Sequence, residues 1–241
     1  MSARDFTLPA YTHLIQRFKD AGYSFIQFTD TPPAAPYVYW RHDVDISLDA
    51  AYQIAALEHE INIRATYFVL LRSPLYNLFS ARAGEILQQM IAWGHDIALH
   101  IDLSLYGEDV SAAVMQEVAL LQQFYPQANT QIVSFHRPGV MGQAIYEVQL
   151  PIHHTYEAPF FKNIQYVSDS KGGWHYGHPL ESAAFQAKQP MQVLTHPIWW
   201  VHLGANPIEK LRDFIATVPD RLVDDLEQAA VSISLDELRG N

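Results

Sequence analysis

The chain of 241 residues contains no cysteine. This absence excludes disulfides, thiolate metal ligands and a cysteine nucleophile, so any metal must be held by histidine or carboxylate side chains. Positive charge is also scarce, because 15 Lys and Arg stand against 26 Asp and Glu and give a formal net charge of -11. An acidic chain does not suit nucleic acid or an anionic membrane, whose protein partners bind through Lys and Arg. We therefore expect a small-molecule or oligosaccharide substrate.

Long apolar segments are missing as well. Residues 1–8 lack the basic start and apolar run of a signal peptide. No stretch approaches the roughly 20 apolar residues that a membrane helix requires. These absences favour a cytoplasmic protein. With 49% apolar and 17% charged residues and no internal repeat or linker, we expect a single globular catalytic domain over residues 1–241, whose oligomeric state the sequence leaves open.

Helical and strand-like segments alternate along the chain. Apolar periodicity predicts helices at residues 11–21, 48–61, 83–93, 110–124, 207–217 and 221–230. Short β-branched and aromatic runs predict buried strands at residues 37–40, 65–71, 96–99, 132–135, 165–167 and 191–194. This order predicts an α/β fold with a mostly parallel sheet of six or seven strands, closed or nearly closed, and fewer strands than a full (β/α)8 barrel.

Polar side chains of catalytic type follow at least four of the predicted strands. They are Asp43, Asp45, His100, Asp102, His136, Arg137 and His196. Active sites of parallel sheets lie outside the carboxyl ends of the strands, so these residues are expected to converge.

Asp43 and Asp45 are two positions apart on an extended segment and point to the same side. Two neighbouring carboxylates cannot both stay ionised in a poor solvent without a cation or a large pKa shift. One can bind a divalent metal while the other remains free as a base. In the structural alternative, Asp45 or Ser47 caps the helix that begins near Leu48.

The remaining histidines differ in their expected roles. His196 can act as a general acid, and the adjacent Trp199 and Trp200 offer flat faces for sugar rings, although at least one is expected in the core. His95 opens a strand and is expected to be structural. Four further histidines are left out of the site because two are adjacent on a strand and two lie beside a glycine-containing loop: His153, His154, His175 and His178.

In this order, five blocks resemble the polysaccharide deacetylases, the NodB-homology group of carbohydrate esterases (family 4-like). The blocks are Arg41-His42-Asp43-Val44-Asp45, Gly94-His95-Asp96-Ile97-Ala98-Leu99-His100, Phe135-His136-Arg137-Pro138, Ser168-Asp169-Ser170 with Trp174 beyond, and Leu194-Thr195-His196. The resemblance implies a distorted (β/α) barrel with about seven strands. It also implies a divalent metal held by one Asp and two His, with the first Asp as base and the final His as acid.

The sequence departs from the family pattern in two places. Val44 separates aspartates that are usually adjacent; we assign Asp43 as the base and Asp45 as a metal ligand, and an exchange of the two roles stays open. Ser104 stands where the family has its second metal histidine. His136 is therefore our third ligand beside Asp45 and His100, with Asp102 in reserve.

The resemblance implies a metal-dependent hydrolase that removes an acetyl group from an N-acetylated sugar or polysaccharide precursor. Zn is the first choice of ion, with Co, Ni or Mn as alternatives. Arg137 is expected to hold Asp43 in place. Two other functions remain open: a non-sugar C–N amidohydrolase on the same fold, and a carbohydrate-binding module that has lost catalysis, which the Ser104 departure suggests.

Overall fold

A curled parallel sheet forms the centre of the molecule. The computed structural model describes residues 6–106, 109–140, 142–175 and 177–229. The strands in these residues are Ser24–Ile26 (β1), Tyr37–Val44 (β2), Thr66–Leu70 (β3), Asp96–Ile101 (β4), Asn129–Phe135 (β5), His153–His154 (β6), Gln165–Ser168 (β7) and Met191–Thr195 (β8).

The strand order is β6-β5-β4-β3-β2-β8-β7, with every neighbouring pair parallel. β1 pairs with the first half of β2, from Ser24 opposite Tyr37, whereas β3 pairs with its second half, from Arg41 opposite Thr66. Among the described residues no ladder joins β6 to β7. The predicted distorted barrel is confirmed as a curl that backbone pairing leaves open on one side.

Helices cover the outside of the curl. In the described residues they are Leu8–Asp20 (α1), Leu48–Glu60 (α2), Ala81–Ala92 (α3), Val110–Phe124 (α4), Ala183–Gln186 (α5), Pro197–Val201 (α6) and Pro207–Ala229 (α7). None of them is both long enough and apolar enough to cross a membrane.

The long final helix corrects the prediction of two helices near residues 207–217 and 221–230. α7 continues through Pro219. A proline removes one backbone hydrogen bond from a helix but need not end it. Phe214 is buried and Val218 packs against the core, so tertiary contacts hold the turn that precedes the proline.

The predicted strands at residues 37–40 and 96–99 were too short. β2 runs on to Val44 and β4 runs on to Ile101. β2 continues through three buried polar residues, Arg41, His42 and Asp43. The run of apolar residues that predicts a strand therefore ends earlier than the backbone pairing. β1 and β6 were missed because they have only three and two residues.

Two apolar layers hold the sheet. The larger layer lies between the strands and the helices and includes Trp40 and Tyr11. The smaller lies inside the curl and includes Tyr39 and Phe68. Successive side chains of a strand point to opposite faces. Arg41 therefore joins the inner layer, where it lies 5.4 Å from the Phe68 ring centre, whereas His42 joins the helix side, where it contacts Tyr11.

Candidate metal centre and active site

The strand-end residues surround one cavity. Asp43 lies near the end of β2, His100 lies near the end of β4, and Asp45, His136 and His196 lie just beyond β2, β5 and β8. Because all of these strands are parallel, their carboxyl ends open on the same side of the sheet. The five side chains line a cavity of about 450 Å³, called here the site cavity. A larger cavity of about 640 Å³, beside β6 at the sheet edge, is lined by none of them.

Three of these side chains form a cluster that could hold a metal. Asp45 Oδ1 lies 3.1 Å from His100 Nε2 and 3.2 Å from His136 Nδ1. The donor atoms of all three residues lie within 4.8 Å of one another. Asp45 Oδ1 is buried and has no hydrogen-bond partner among the described residues, so its contacts with the histidines are close without hydrogen-bond geometry.

The orientation of His100 fits this use. Its Nδ1 lies 3.2 Å from the carbonyl oxygen of Ser134, which can only accept a hydrogen bond. A proton on Nδ1 leaves the lone pair of Nε2 directed toward Asp45, the tautomer that binds a metal. The oxygen and nitrogen donors of Asp45, His100 and His136, with an unpartnered buried carboxylate oxygen among them, therefore fit a divalent cation.

The electrostatics of the cluster favour an ionised Asp45. Burial raises the pKa of its carboxyl, but the close contacts with His100 and His136 and the charges of His100 and His196 outweigh burial, so the pKa lies well below its usual value. Burial lowers the pKa of His136, and Asp45 again outweighs it, so that pKa is raised. Positive charge around Asp45 therefore favours the ionised carboxylate, which is the form that binds a metal.

Asp43 lies beside the cluster and is held by Arg41. Arg41 Nη2 donates to Asp43 Oδ2 at 2.8 Å, and Asp43 Oδ2 lies 3.8 Å from His100 Nε2. Asp43 Oδ1 is buried without a hydrogen-bond partner among the described residues. One carboxylate oxygen is thus fixed and the other is available to a molecule in the site cavity.

Arg41 is itself tightly held. It is fully buried, 5.4 Å from the ring centre of Phe68 and 5.6 Å from that of Tyr156. Its Nη1 donates to Gln192 Oε1 at 3.0 Å. Burial lowers the pKa of Arg41, but Asp43 outweighs burial and raises it, so the guanidinium remains charged.

The prediction that Arg137 holds Asp43 is corrected by these contacts. Arg137 donates to Asp102 Oδ2 instead, and its side chain is 57% exposed. Arg41 takes the predicted place because it lies two residues before Asp43 on the same strand and faces the same side. The signal in the sequence is an arginine inside a run that otherwise reads as a buried strand.

Asp102, the reserve ligand, is occupied elsewhere. Its Oδ1 accepts from the backbone N–H of Ser104 at 3.0 Å and from the Ser104 hydroxyl at 2.6 Å, and its Oδ2 accepts from Arg137. Burial raises its pKa, but these hydrogen bonds outweigh burial and lower it. The structure thus places His136, and not Asp102, in the three-residue cluster.

His196 lies on the other side of Asp45 and is fixed by Asp169. His196 Nε2 is 3.8 Å from Asp45 Oδ2, and its Nδ1 is 2.6 Å from Asp169 Oδ1. Asp169 is fully buried and also accepts from the Trp200 indole N–H at 2.8 Å. Burial lowers the pKa of His196, but Asp169, Asp45 and Asp43 outweigh burial and raise it to about 9.

Asp169 orients His196, a role that the sequence pattern alone does not predict. The available signal was its position directly after a short strand, like that of the other site residues. Trp199 and Trp200 are both buried, so the expectation of at least one core tryptophan is confirmed and neither lines the site cavity.

The residues expected to be structural stay outside the site. Ser47 accepts from the N–H of Ala50 and caps α2, so Asp45 is free of that task. His95 is buried between the N–H of Ala65 and the carbonyl of Ala55. The remaining histidines lie outside the site cavity, where His153 is exposed, His154 is buried beside Val148, His175 is exposed and His178 accepts from Leu180.

Comparison with known proteins finds similar solved structures only. No family model and no curated protein matches the chain. It is similar to a peptidoglycan N-acetylglucosamine deacetylase solved with 4-naphthalen-1-yl-N-oxidanyl-benzamide, at 15% identity and a TM-score of 0.41, over 86% of this chain and 91% of that one.

Two further structures are similar. One is a chitin deacetylase from the fungal pathogen Colletotrichum lindemuthianum, at 16% identity and a TM-score of 0.34; 48% of this chain is covered, and the match spans half of that chain's length, 50%. The other is a family 4 carbohydrate esterase from Bacillus anthracis, at 15% identity and a TM-score of 0.35, over 64% of this chain and 80% of that one. All three TM-scores lie below 0.5, and all three identities are 16% or less.

Proposed function

We propose that this chain is a divalent-metal hydrolase that removes an acetyl group from the amine of an N-acetylated sugar or polysaccharide precursor. The observation that carries the proposal is the convergence of Asp45, His100 and His136, with Asp43 and His196 on either side. Three protein ligands leave coordination positions free, which is typical of catalytic rather than structural metal sites.

Zinc is the ion we propose for this cluster, because one carboxylate and two imidazoles suit it well; cobalt, nickel and manganese accept similar donors. When bound, the ion supplies a Lewis acid for the acyl carbonyl and lowers the pKa of water to about 7.

Asp43 is the proposed general base. Arg41 donates a hydrogen bond to Oδ2, while Oδ1 has no hydrogen-bond partner among the described residues. That oxygen can accept the proton of an attacking water molecule from inside the site cavity. The fixed position of Arg41 limits the orientations that Asp43 can take, which favours a productive geometry.

His196 is the proposed general acid. Asp169 accepts a hydrogen bond from Nδ1 of His196. This contact favours a protonated ring whose Nε2 points into the site cavity. As the amide C–N bond breaks, Nε2 gives its proton to the leaving amine and the hydroxyl of water remains on the acyl carbon. The products are a carboxylate and a free amine.

A non-sugar C–N amidohydrolase is the second candidate, and one observation favours it. The two tryptophans expected as sugar platforms, Trp199 and Trp200, are buried and do not line the site cavity. The alternative of a carbohydrate-binding module without catalysis was suggested by Ser104, which stands in place of a metal histidine. That reason is weakened because His136 offers a third possible metal-binding atom beside Asp45 and His100.

The test combines metal analysis with an acetate assay. Purified protein is expected to hold about one zinc per chain and to release acetate from N-acetylglucosamine oligomers, with loss on chelation and recovery on added zinc. Bound metal with hydrolysis of other amides only would support the second candidate. Absence of both metal and turnover would overturn the proposal.

A further inference from the structure

A second cavity lies against the proposed metal ligands. It has a volume of about 390 Å³, and His100, His136 and Arg137 line both this cavity and the site cavity. The other residues around it come from β3 and the loop after it, from the segment after β4, and from α4: Leu70, Arg72, Pro74, Asp102, Leu105 and Glu117. We call this space the side chamber. Nothing in the proposed mechanism uses it.

The polar side chains of the side chamber are engaged with protein groups. Arg137 donates to Asp102, and Arg72 lies over the ring of Tyr106, with its guanidinium carbon 5.4 Å from the ring centre. Glu117 is buried and accepts from the hydroxyl of Tyr106. The wall surface that remains without such contacts is aliphatic, from Leu70, Pro74 and Leu105.

This chemistry decides which part of a substrate the side chamber suits. A sugar ring brings several hydroxyls, and each loses free energy on burial unless it finds a hydrogen-bond partner. Polar wall groups of the side chamber already contact other protein groups, Arg137 through Asp102 and both Arg72 and Glu117 through Tyr106. An aliphatic chain needs only apolar contact and is favoured by roughly 25 cal/mol for each Å² removed from water.

The side chamber has room for an acyl chain longer than acetyl. A dry apolar cavity of roughly 150 Å³ holds benzene, which has six carbons. The single methyl group of an acetyl would leave most of 390 Å³ unfilled. A linear acyl group of four to six carbons, on the order of the benzene carbon count, fits within this volume and leaves less of it unfilled than acetyl does.

We propose that the side chamber is an acyl-binding subsite that selects linear aliphatic acyl groups longer than acetyl. The inference rests on the proposed function, since it places the acyl carbonyl at the cluster of Asp45, His100 and His136 and the chain beyond His100 and His136. It refines the substrate from an N-acetyl to an N-acyl amine.

The test compares N-acetyl-, N-butanoyl- and N-hexanoylglucosamine as ligands of the zinc-treated and the untreated protein. Binding is measured by calorimetry and hydrolysis is measured in parallel. Affinity is expected to rise about fourfold for each added methylene, the change that about 0.8 kcal/mol of burial gives. Equal affinity for the three probes, or no binding of the hexanoyl probe, overturns the inference.

A matched pair of variants locates the effect. Leu105→Trp fills the side chamber at a side chain that is 49% exposed, whereas Leu120→Trp makes the same change at a 40% exposed position on α4 that does not line it. Leu105→Trp is expected to weaken hexanoyl binding by roughly tenfold and acetyl binding by less than about twofold. Leu120→Trp should change neither. Identical behaviour of the two variants also overturns the inference.

The two proposals fail in different ways. Acetate release without any preference for longer acyl groups removes the subsite and leaves the hydrolase. Binding that rises with chain length and falls in Leu105→Trp, without hydrolysis of any probe, keeps the subsite and removes the hydrolase.

Discussion

The two faces of β2 carry buried ionic groups that are built differently. On the helix side, His42 Nε2 contacts Glu58 at 2.9 Å and His42 Nδ1 contacts Thr195 Oγ1 at 2.8 Å. Glu58 also accepts from the hydroxyls of Tyr11 and Tyr67. Each of these polar side-chain atoms has a partner, and the cluster is fully buried.

On the inner side, the arrangement of Arg41 and Asp43 is incomplete. Arg41 fixes one oxygen of Asp43, but Asp43 Oδ1 and the neighbouring Asp45 Oδ1 are buried without hydrogen-bond partners among the described residues. A buried polar atom without a partner costs free energy, roughly 1–3 kcal/mol. The His42–Glu58 network is complete and contributes to stability. The group of Arg41, Asp43 and Asp45 has unpartnered oxygens that a ligand could contact.

Asp45→Ala is expected to have the largest effect on the candidate site. Removal of the central carboxylate should abolish metal binding and lower kcat/KM by about 10⁴-fold or more, because positioning and Lewis-acid chemistry are lost together. Metal analysis and acetate release measure both effects. Asp49→Ala, which removes a carboxylate paired with Arg82 outside the cavity, is the control and should keep metal and activity. Metal retained by Asp45→Ala would contradict the ligand assignment.

Asp43→Asn should separate base from ligand. The amide keeps the shape and a contact with Arg41 but cannot take a proton, so kcat is expected to fall by roughly 10²–10⁴-fold with metal content unchanged. Loss of metal in this variant, with metal kept in Asp45→Asn, would show that the roles of the two aspartates are exchanged.

Glu58→Gln tests the closed face. Burial raises the pKa of Glu58, but His42 outweighs burial and lowers it, so the native network holds a carboxylate. Its neutralisation should lower the free energy of unfolding by roughly 2–3 kcal/mol and leave kcat within about twofold, since no member of this network lines the site cavity. Denaturant unfolding and kinetics measure the two, with exposed Glu60→Gln as control. A large drop in kcat with unchanged stability would contradict the view that this network serves stability and not activity.

Arg41→Lys should lower kcat by about tenfold, because lysine keeps the charge but loses the planar contacts to both Asp43 and Gln192. KM and metal content should change little. The matched Arg137→Lys variant alters an exposed pair with Asp102 and should change kcat by less than about threefold. The reverse order of effects would restore Arg137 as the residue that positions Asp43.

Glu117 affects stability alone, and its effect depends on pH. Burial raises the pKa of its carboxyl to about 7, opposed only in part by Arg72. The folded state therefore keeps a proton between pH 4.5, where an unfolded glutamate ionises, and pH 7, so stability falls as the pH rises through that window. Glu117→Gln removes this loss. Thermal unfolding should show no gain at pH 4 and a gain at pH 8 whose upper limit, for a pKa raised from 4.5 to about 7, is roughly 3 kcal/mol; a gain independent of pH would refute the stated pKa.

The sequence was sufficient for the residues that follow strands. Asp43, Asp45, His100, His136 and His196 were predicted to converge because each stands at the carboxyl end of a short apolar run, and the structure brings them to one cavity. Whether they act as ligands, base and acid stays a prediction that the variants above test.

The contacts that orient these residues were not predictable in the same way. Arg41 lies inside β2, where its charge interrupts the apolar pattern that identifies a strand, and its partner Gln192 is 151 residues away. The loop after β5 directs Arg137 toward Asp102, with a backbone φ of 49° at Arg137. Pairings of this kind depend on strand order and register, which one sequence does not specify.

The alternation of β2 makes its length a strict requirement. Arg41 and Asp43 point one way and His42 points the other, so one inserted or deleted residue between Tyr39 and Arg41 would turn both groups through half a revolution. Asp43 would then face the helices and His42 the cavity. A change of frame within this single strand would disrupt the candidate site and the buried His42–Glu58 network together.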